Sequence, residues 1–476
     1  MMPPDNQLEA LWSIVEPLVR ADLHAEALCY AGLAIAWRDT SYYAKLLCER
    51  GVSESSVQYD AKLIGTEFDG GGPGLLELVR KSPLGLLSWL DQRLASPVIG
   101  APHTYSNTVY LGDVIPCKIR PDVARLLDFP AFWVNAYLVR RRGDRDKQGR
   151  IAQQGLSQHR FTPRWFVMPD TPDPSQRARK IEIVSAESTF RYACQEIQAR
   201  GRMNIYVAEF AVPPEFASTF SVVGENQYWA AQGLHNEALI AADAVAHVRR
   251  AASVGADVLI FPELTIPPLV RDAIANELSS SRTGIALVVA GSFHEAIAGS
   301  VQVRNISHLL DGLGNPVKLR APSASRNWTH DKFNPVRLAH PGAPLLQEDL
   351  HAGNLITLVN TPIGLQSIIT CLDLAQSAVI SSVRVEYLPQ QFLWIPSMSE
   401  SVSAHRDHAK TIHLNHATVI ACANQAQANF GNDIAIRGDA MGSFVHGAQT
   451  NQTTTALEFA KLFVVTLQSS PTSAYA

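Results

Sequence analysis

The stretch GLQSIITCLDLA, residues 364 to 375, runs from an apolar segment through a cysteine into residues typical of a helix. We predict a strand over Ser367 to Thr370 that ends at Cys371, followed by a turn into a helix. Such a turn exposes the side chain at its tip and presents backbone N–H groups to a developing oxyanion. A cysteine is more often an inert buried residue. This stretch alone therefore makes Cys371 a candidate nucleophile and no more.

Two further stretches place ionisable residues after predicted strands. In VLIFPELTIPP, residues 258 to 268, an apolar strand leads to Pro262 and Glu263, and in WTHDKFNP, residues 328 to 335, Lys332 follows a turn. A glutamate at a strand end is usually a solvated loop residue, and a lone lysine is usually a surface cation. Each stretch by itself indicates little.

Taken together, the order strand and Glu263, then Lys332, then strand and Cys371 resembles the carbon–nitrogen hydrolase, or nitrilase, superfamily. Phe261-Pro262-Glu263 matches the family's glutamate motif, Lys332-Phe-Asn-Pro335 loosely matches its lysine motif, and Cys371-Leu-Asp373 matches its cysteine motif. Lys332 follows Glu263 by 69 residues and precedes Cys371 by 39, which are separations of the size that the family shows. The lysine lacks the Tyr-Arg pair that precedes it in many members.

The resemblance implies a role for each residue of the constellation. Cys371 attacks the carbonyl or nitrile carbon, Glu263 acts as general base and acid, and Lys332 with the backbone N–H of Leu372 stabilises the oxyanion. Glu348 corresponds to a second glutamate that orients the lysine and the substrate, although its neighbour Asp349 is an equally good candidate. No metal and no organic cofactor are required.

Fold class and domain organisation follow from the alternation of elements. After about residue 200, short strands rich in Val and Ile alternate with helical stretches, which indicates an α/β chain. The resemblance covers about residues 202–450 and implies an α-β-β-α sandwich. We predict a nitrilase-like domain over 200–460, preceded over 1–195 by a mainly helical or mixed domain. Polar stretches at 140–150 and 169–180 are predicted to be exposed loops or linkers.

Composition limits the partners of the protein. The chain has 476 residues with a formal net charge of −4, so no electrostatic field that would attract nucleic acid is expected. The N-terminus lacks the pattern of a signal peptide, and no apolar run reaches the roughly 18 residues that span a bilayer. The six cysteines lack metal-ligand spacing and are interpreted as free thiols. We expect a cytoplasmic enzyme with a small-molecule substrate and no contact with nucleic acid or membranes.

Several functions are compatible with this constellation. Hydrolysis of a non-peptide carbon–nitrogen bond, in an amide, nitrile or carbamoyl compound, is the leading prediction. The same triad would serve an N-acyltransferase or an ammonia-supplying glutaminase, and a third possibility is a non-catalytic binding or assembly module. The resemblance also implies a homo-oligomer that associates through the nitrilase-like domain.

Overall fold

The structure is a computed structural model of the chain. It describes residues 4–21, 23–38, 54–71, 74–94, 114–127, 135–140, 165–169, 180–223, 226–300, 302–320, 325–338, 345–375, 390–416, 418–431, 434–438, 442–447, 455–457 and 460–467. Of the two predicted polar linkers, residues 141–150 and 170–179 lie outside the described residues.

The chain divides into two compact units, residues 1–181 and residues 182–474. The helix Ser188–Arg200 belongs to the second unit. None of the helices within the described residues is long and apolar enough to cross a membrane.

The first unit combines helices with a small antiparallel sheet. Its aromatic core brings Trp12, Phe68 and Trp89 together, with the rings of Phe68 and Trp89 4.9 Å apart. Two consecutive helices, Leu75–Lys81 and Pro83–Leu94, are separated at Ser82. The elements are α1 (Pro4–Arg20), α2 (His24–Arg38), α3 (Glu54–Gly70), α4 (Leu75–Lys81), α5 (Pro83–Leu94), β1 (Val114–Lys118), α6 (Pro121–Leu126), β2 (Asn135–Arg140) and β3 (Trp165–Pro169).

The second unit contains the predicted alternation of strands and helices. Its first half comprises β4 (Lys180–Ala186), α7 (Ser188–Arg200), β5 (Arg202–Ala208), β6 (Phe216–Val223), β7 (Asn226–Leu234), α8 (Glu237–Ser253), β8 (Val258–Ile260), α9 (Pro268–Ser281), β9 (Leu287–Ala296) and β10 (Val303–Asp311). There follow β11 (Lys318–Arg320), β12 (Ser325–Asn327), β13 (Thr329–Asp331), β14 (Arg337–Leu338), β15 (Leu346–Glu348), β16 (Leu355–Thr361) and β17 (Gly364–Ile368). The last are α10 (Leu372–Ala375), β18 (Phe392–Met398), α11 (Ser403–His416), β19 (Val419–Gln425), β20 (Gln427–Gly431), β21 (Ile434–Arg437), β22 (Phe444–His446), β23 (Thr455–Leu457) and β24 (Ala460–Thr466).

Two large mixed sheets form the centre of this unit. The first has the order β13-β10-β9-β8-β5-β24-β23, and its middle strands β5, β8 and β9 are parallel. The second has the order β12-β11-β4-β16-β17-β18-β19-β22, in which β17, β18 and β19 are parallel. Parallel strands end at the same edge, so residues that follow β8, β17 and β18 are brought to one side of their sheets.

Alternation of buried side chains along the strands explains why the sheets stack. On the first sheet, Tyr206 and Val288 pack with the helices α8 and α9. The residues adjacent to them, Ile205 and Val289, pack on the other face with Trp394 of the second sheet. Helix α11 packs against β19 and β22 of the second sheet. The predicted α-β-β-α sandwich is therefore confirmed.

A β-hairpin that the sequence analysis did not predict lies beside the first sheet. Strands β6 and β7 pair antiparallel, and β7 pairs in parallel with β15. The ring of Phe216 on this hairpin stacks on Phe430 at 4.6 Å. The hairpin therefore joins the segment around Glu348 to the rest of the unit.

The close approach of two backbone segments requires glycine at position 291. Gly291 has a φ of +51°, and a Cβ atom there would lie 2.2 Å from the carbonyl oxygen of Pro262. Gly201 also has a positive φ, +66°, but an added Cβ would meet nothing within 4 Å. The two glycines thus share a conformation and differ in their surroundings.

We predict that Gly201→Ala lowers the free energy of unfolding by about 1 to 2 kcal/mol, because only the left-handed backbone is strained. Gly291→Ala should lower it by about 3 kcal/mol or more, since the new methyl group also collides with the Pro262 backbone. Differential scanning calorimetry of the two variants measures this. Equal losses in both would contradict the proposed close contact.

Candidate active site

Glu263 and Cys371 are brought together by one strand end. The backbone N–H of Cys371 donates to the carbonyl of Pro396 at 2.8 Å, and the N–H of Glu263 donates to the carbonyl of the next residue, Ser397, at 3.3 Å. Both acceptors belong to β18 of the second sheet. Cys371 follows β17 of the same sheet, and Glu263 follows β8 of the first sheet. Two residues 108 positions apart in the sequence are thus held on consecutive carbonyls of a third strand.

Lys332 lies between two carboxylates and is almost completely buried. Its ammonium Nζ is 2.7 Å from Oε1 of Glu263 and 2.8 Å from Oε2 of Glu348. Its backbone is also held, because its N–H donates to the carbonyl of Asn305 and its own carbonyl accepts from Gly353. The side chain is 1% exposed. A cation withdrawn from water to this degree requires opposite charges at contact distance.

The charges in this cluster shift one another's titration. Burial lowers the pKa of Lys332, but the carboxylates of Glu263 and Glu348 outweigh burial and raise it above its ordinary value. Burial alone would raise the pKa of Glu348. Lys332 and His294 have the larger, opposite effect, so the pKa lies below that of an ordinary carboxyl. Lys332 and Glu348 therefore form a permanent ion pair at neutral pH.

Glu263 shifts in the opposite direction. Burial and then the negative charge of Cys371 raise its pKa well above the ordinary value, and the opposing effect of Lys332 does not cancel them. The pKa values of the two carboxylates thus shift in opposite directions. Glu348 is held ionised, and Glu263 is able to take up a proton. Such a pair is a recurring mark of acid–base sites.

Asn305 also links the two carboxylates. Its Nδ2 donates to Oε1 of Glu263 at 3.1 Å and to Oε1 of Glu348 at 3.0 Å. Oε1 of Glu263 therefore has two donors, Asn305 and Lys332. The cluster is a closed ring in which each carboxylate bonds both the lysine and the asparagine.

Glu348 rather than Asp349 contacts the lysine. Its Oε2 accepts from Lys332 and from the backbone N–H of Val336, and its Oε1 accepts from His294 and Asn305. Burial raises the pKa of Asp349, which is the opposite of the shift at Glu348. Glu348 is the last residue of β15 and is buried, whereas Asp349 follows the strand and is only partly buried.

Cys371 lies in a strained turn. Its φ of +43° is unusual for a residue with a side chain. The cysteine is only 2% exposed, so the exposure that the sequence analysis predicts for the tip of this turn is wrong. The hydroxyl of Ser397 donates to the sulfur at 3.4 Å. Leu372 is the first residue of α10, so no carbonyl within that helix accepts its N–H. The turn thus combines a thiol with a backbone donor next to it.

Asp373 fastens this turn to the segment that carries Lys332. Its carboxylate accepts from the backbone N–H groups of Phe333 and Asn334 at 3.0 and 2.9 Å, and Nε2 of His330 is 3.1 Å away. The side chain is fully buried. The acidic residue two positions after the cysteine therefore has a structural role, which is why the spacing Cys371-Leu-Asp373 matters.

The other cysteines provide a contrast. Burial raises the pKa of Cys194 to about 12 and also raises that of Cys422 above the ordinary value. Of the six cysteines in the sequence, Cys48 lies outside the described residues, and the remaining five are free thiols. No group of three or more metal-ligating side chains lies within the described residues.

Sequence reasoning missed several members of this site. Asn305, His294 and Ser397 contact the ionisable groups, yet each stands in an ordinary strand pattern with no local motif. His405, which was left out of the predicted set, is buried, and burial lowers its pKa while Glu263 and the backbone of Cys371 oppose that shift. A polar residue at an inward position of an apolar strand was the one available signal.

No family model and no curated protein matches this chain. Among solved structures, it is similar to the amidase NitN from Nesterenkonia sp. AN1, with 20% identity, 56% of this chain and 93% of that chain covered, and a TM-score of 0.36. It is also similar to Nit3 from Saccharomyces cerevisiae, with 13% identity, 56% and 90% covered, and a TM-score of 0.38. Both belong to the nitrilase superfamily.

One structure of the Nesterenkonia amidase shows acrylamide added to its active-site cysteine. Over 56% of its length, the chain is similar in fold to structures of the nitrilase superfamily, as the sequence analysis predicts.

Proposed function

We propose that the protein hydrolyses a non-peptide carbon–nitrogen bond, in a small amide, nitrile or carbamoyl compound, through a thioester on Cys371. The observation that carries the proposal is the buried ring of Glu263, Lys332 and Glu348 beside that thiol. A cluster that keeps one carboxylate ionised and raises the pKa of the other is suited to move a proton to and from a nucleophile.

The hydrogen bonds assign a task to each atom of the proposed base. Oε1 of Glu263 is occupied by Lys332 and Asn305, so Oε2 is left to accept the thiol proton of Cys371. The cysteine sulfur then attacks the substrate carbon as a thiolate, which is the nucleophilic form. Ser397, which donates to the sulfur, stabilises that charge.

The oxyanion that forms has two proposed donors. An ammonium group carries three hydrogens, and the carboxylates of Glu263 and Glu348 take two of those on Lys332. The third hydrogen and the N–H of Leu372 are the proposed donors to the oxyanion. With an amide or carbamoyl compound, Glu263 returns its proton to the leaving nitrogen, ammonia or an amine departs, and a thioester remains. With a nitrile, the thiolate and the proton first give a thioimidate, and one water must add to that carbon before ammonia departs and the thioester remains. Water, deprotonated by Glu263, then releases the acid and restores the thiol.

Two other functions use the same intermediate. An N-acyltransferase passes the acyl group of the thioester to an amine, and a glutaminase passes the released ammonia to another enzyme or domain. A binding or assembly module would have no use for a thiol beside a base with a raised pKa. The cytoplasmic location and the homo-oligomer stay predictions.

We predict that iodoacetamide alkylates Cys371 at least about tenfold faster than Cys194 or Cys422, because thiolate formation governs the rate. Intact mass spectrometry after incubation with short amides, nitriles and N-carbamoyl compounds should reveal a substrate-sized adduct. Cys371→Ala should show no adduct and no turnover, whereas Cys194→Ala should keep both. The mass of the adduct identifies the acyl group.

The result that counts against the hydrolase is a Cys371 that reacts no faster than the other cysteines in the folded protein. Adding hydroxylamine or a primary amine separates the two transfer outcomes. If the amine is acylated in preference to water, the acyltransferase is favoured over the hydrolase.

The raised pKa of Glu263 predicts the acid side of the activity profile. Below that pKa the carboxyl is protonated and cannot accept the thiol proton, so activity should fall as the pH decreases through values above 4.5, the ordinary pKa of glutamate. Glu263→Gln should lower kcat/KM by about 10² to 10⁴ and abolish that ionisation. A variant that keeps the wild-type pH profile would exclude Glu263 as the base.

Glu348 and Asp349 form a matched pair for mutation. Glu348→Gln removes the charge that contacts Lys332 and should lower kcat by about tenfold or more, because a buried cation is left with one carboxylate. Asp349→Asn should change kcat by less than about twofold, since surface-side substitutions usually have small effects. Steady-state kinetics on the substrate identified by mass spectrometry compares them. Equal losses would contradict the assignment to Glu348.

A further inference from the structure

We propose that His294 is a positioning residue of this site, held as a neutral tautomer by the backbone of the β6–β7 hairpin so that it aims Glu348 at Lys332. The inference rests on the proposed function, because positioning matters only if the Lys332 cluster takes part in chemistry. It adds His294 and the β6–β7 hairpin to the proposed site, and neither is marked by a local sequence motif.

The contacts of the imidazole determine which nitrogen carries the proton. The backbone N–H of Ala231, on β7, donates to Nδ1 of His294 at 2.8 Å. A ring nitrogen that accepts a hydrogen bond carries no proton, so in the neutral ring the hydrogen is on Nε2. Nε2 is 2.8 Å from Oε1 of Glu348, to which it therefore donates. The side chains of His294 and Glu348 are both 0% exposed.

The charges around His294 would by themselves favour a protonated ring. Glu348 is in contact with it, and Asp349 interacts with it electrostatically. A second proton, however, would place the donor Nδ1–H against the N–H of Ala231, so the charged form loses that hydrogen bond and brings two donors together. The hairpin therefore keeps the ring neutral in surroundings that attract a proton.

Neutrality matters for Lys332. A charged imidazolium would compete with Lys332 for the single negative charge of Glu348 and would place a second cation beside it. As a neutral donor, His294 fixes the orientation of Glu348 through Oε1 and leaves Oε2 for Lys332. Second hydrogen-bond partners of this kind orient functional groups in many sites.

The hairpin is joined to both partners of this contact. In the parallel pairing of β15 with β7, Glu348 lies opposite Trp229, whose ring is 5.3 Å from the imidazole of His294. The carbonyl of Trp229 accepts from the N–H of Asp349 at 2.8 Å. Trp229 and Ala231 of β7 thus hold, respectively, the strand of Glu348 and the ring that orients it.

Nuclear magnetic resonance of ¹⁵N-histidine-labelled protein tests the tautomer without reference to activity. Comparison of wild type with His294→Gln assigns the signal among the 15 histidines. We expect a neutral ring with hydrogen on Nε2 at neutral pH. A ring that is doubly protonated at neutral pH, or that carries hydrogen on Nδ1, overturns the proposal.

Alkylation and turnover test the positioning role. His294→Ala should slow the iodoacetamide reaction of Cys371 and lower kcat by about tenfold, with a displaced pH profile, because Glu348 no longer holds Lys332 in place. His294→Gln keeps an N–H donor and should recover most of the loss. The matched control is His308→Gln, which replaces a histidine on the neighbouring strand β10 that bonds Glu295 instead of the cluster.

The outcomes separate this inference from the proposed function. A wild-type Cys371 that reacts no faster than Cys194 counts against the proposed function. A fast wild-type Cys371 whose rate and pH profile are unchanged in His294→Ala counts against the positioning role alone. A Gln variant no better than the Ala variant also counts against it, since the donor would then be irrelevant.

Discussion

The structure of the second unit depends on one interaction, the burial of the Lys332 ammonium between Glu263 and Glu348. An isolated ammonium in such a place would lose far more hydration energy than packing returns, so the lysine can be buried only where both carboxylates reach it. One carboxylate follows a strand of the first sheet, and the other lies on the strand that pairs with the hairpin. The cation therefore constrains how these elements meet.

The other contacts of the site serve the same constraint. The carbonyls of Pro396 and Ser397 hold Cys371 and Glu263 at adjacent places, and Asp373 ties the cysteine turn to the lysine segment. Gly291 permits the backbone approach that places Pro262, just before Glu263. These contacts are made mostly by the backbone or by fully buried side chains, so the ionisable groups have little freedom to reorganise. Preorganised donors and charges of this kind are what a developing oxyanion needs.

The unequal treatment of two glutamates gives the cluster its proposed chemistry. Lys332 and His294 keep Glu348 ionised, whereas burial and the negative charge of Cys371 raise the pKa of Glu263. In the proposed mechanism, one proton passes from the thiol of Cys371 to Glu263 and then to the departing nitrogen, while Lys332 stays charged and Glu348 stays ionised.

The sequence by itself determined what depends on local order: the α/β class, the strands before Glu263 and Cys371, and the order and spacing of Glu263, Lys332 and Cys371. Short apolar runs followed by turn residues indicate where strands end, so the residues near these ends could be identified from their neighbours in the sequence. The tertiary structure decided what depends on distant partners. Only the packed structure shows that Glu348, and not Asp349, bonds Lys332. It also shows that His294 and Asn305, which no local motif marks, contact the two glutamates. The tautomer of His294 depends on Ala231, 63 residues earlier, and a hydrogen bond over that separation exists only once the hairpin and the sheet have packed.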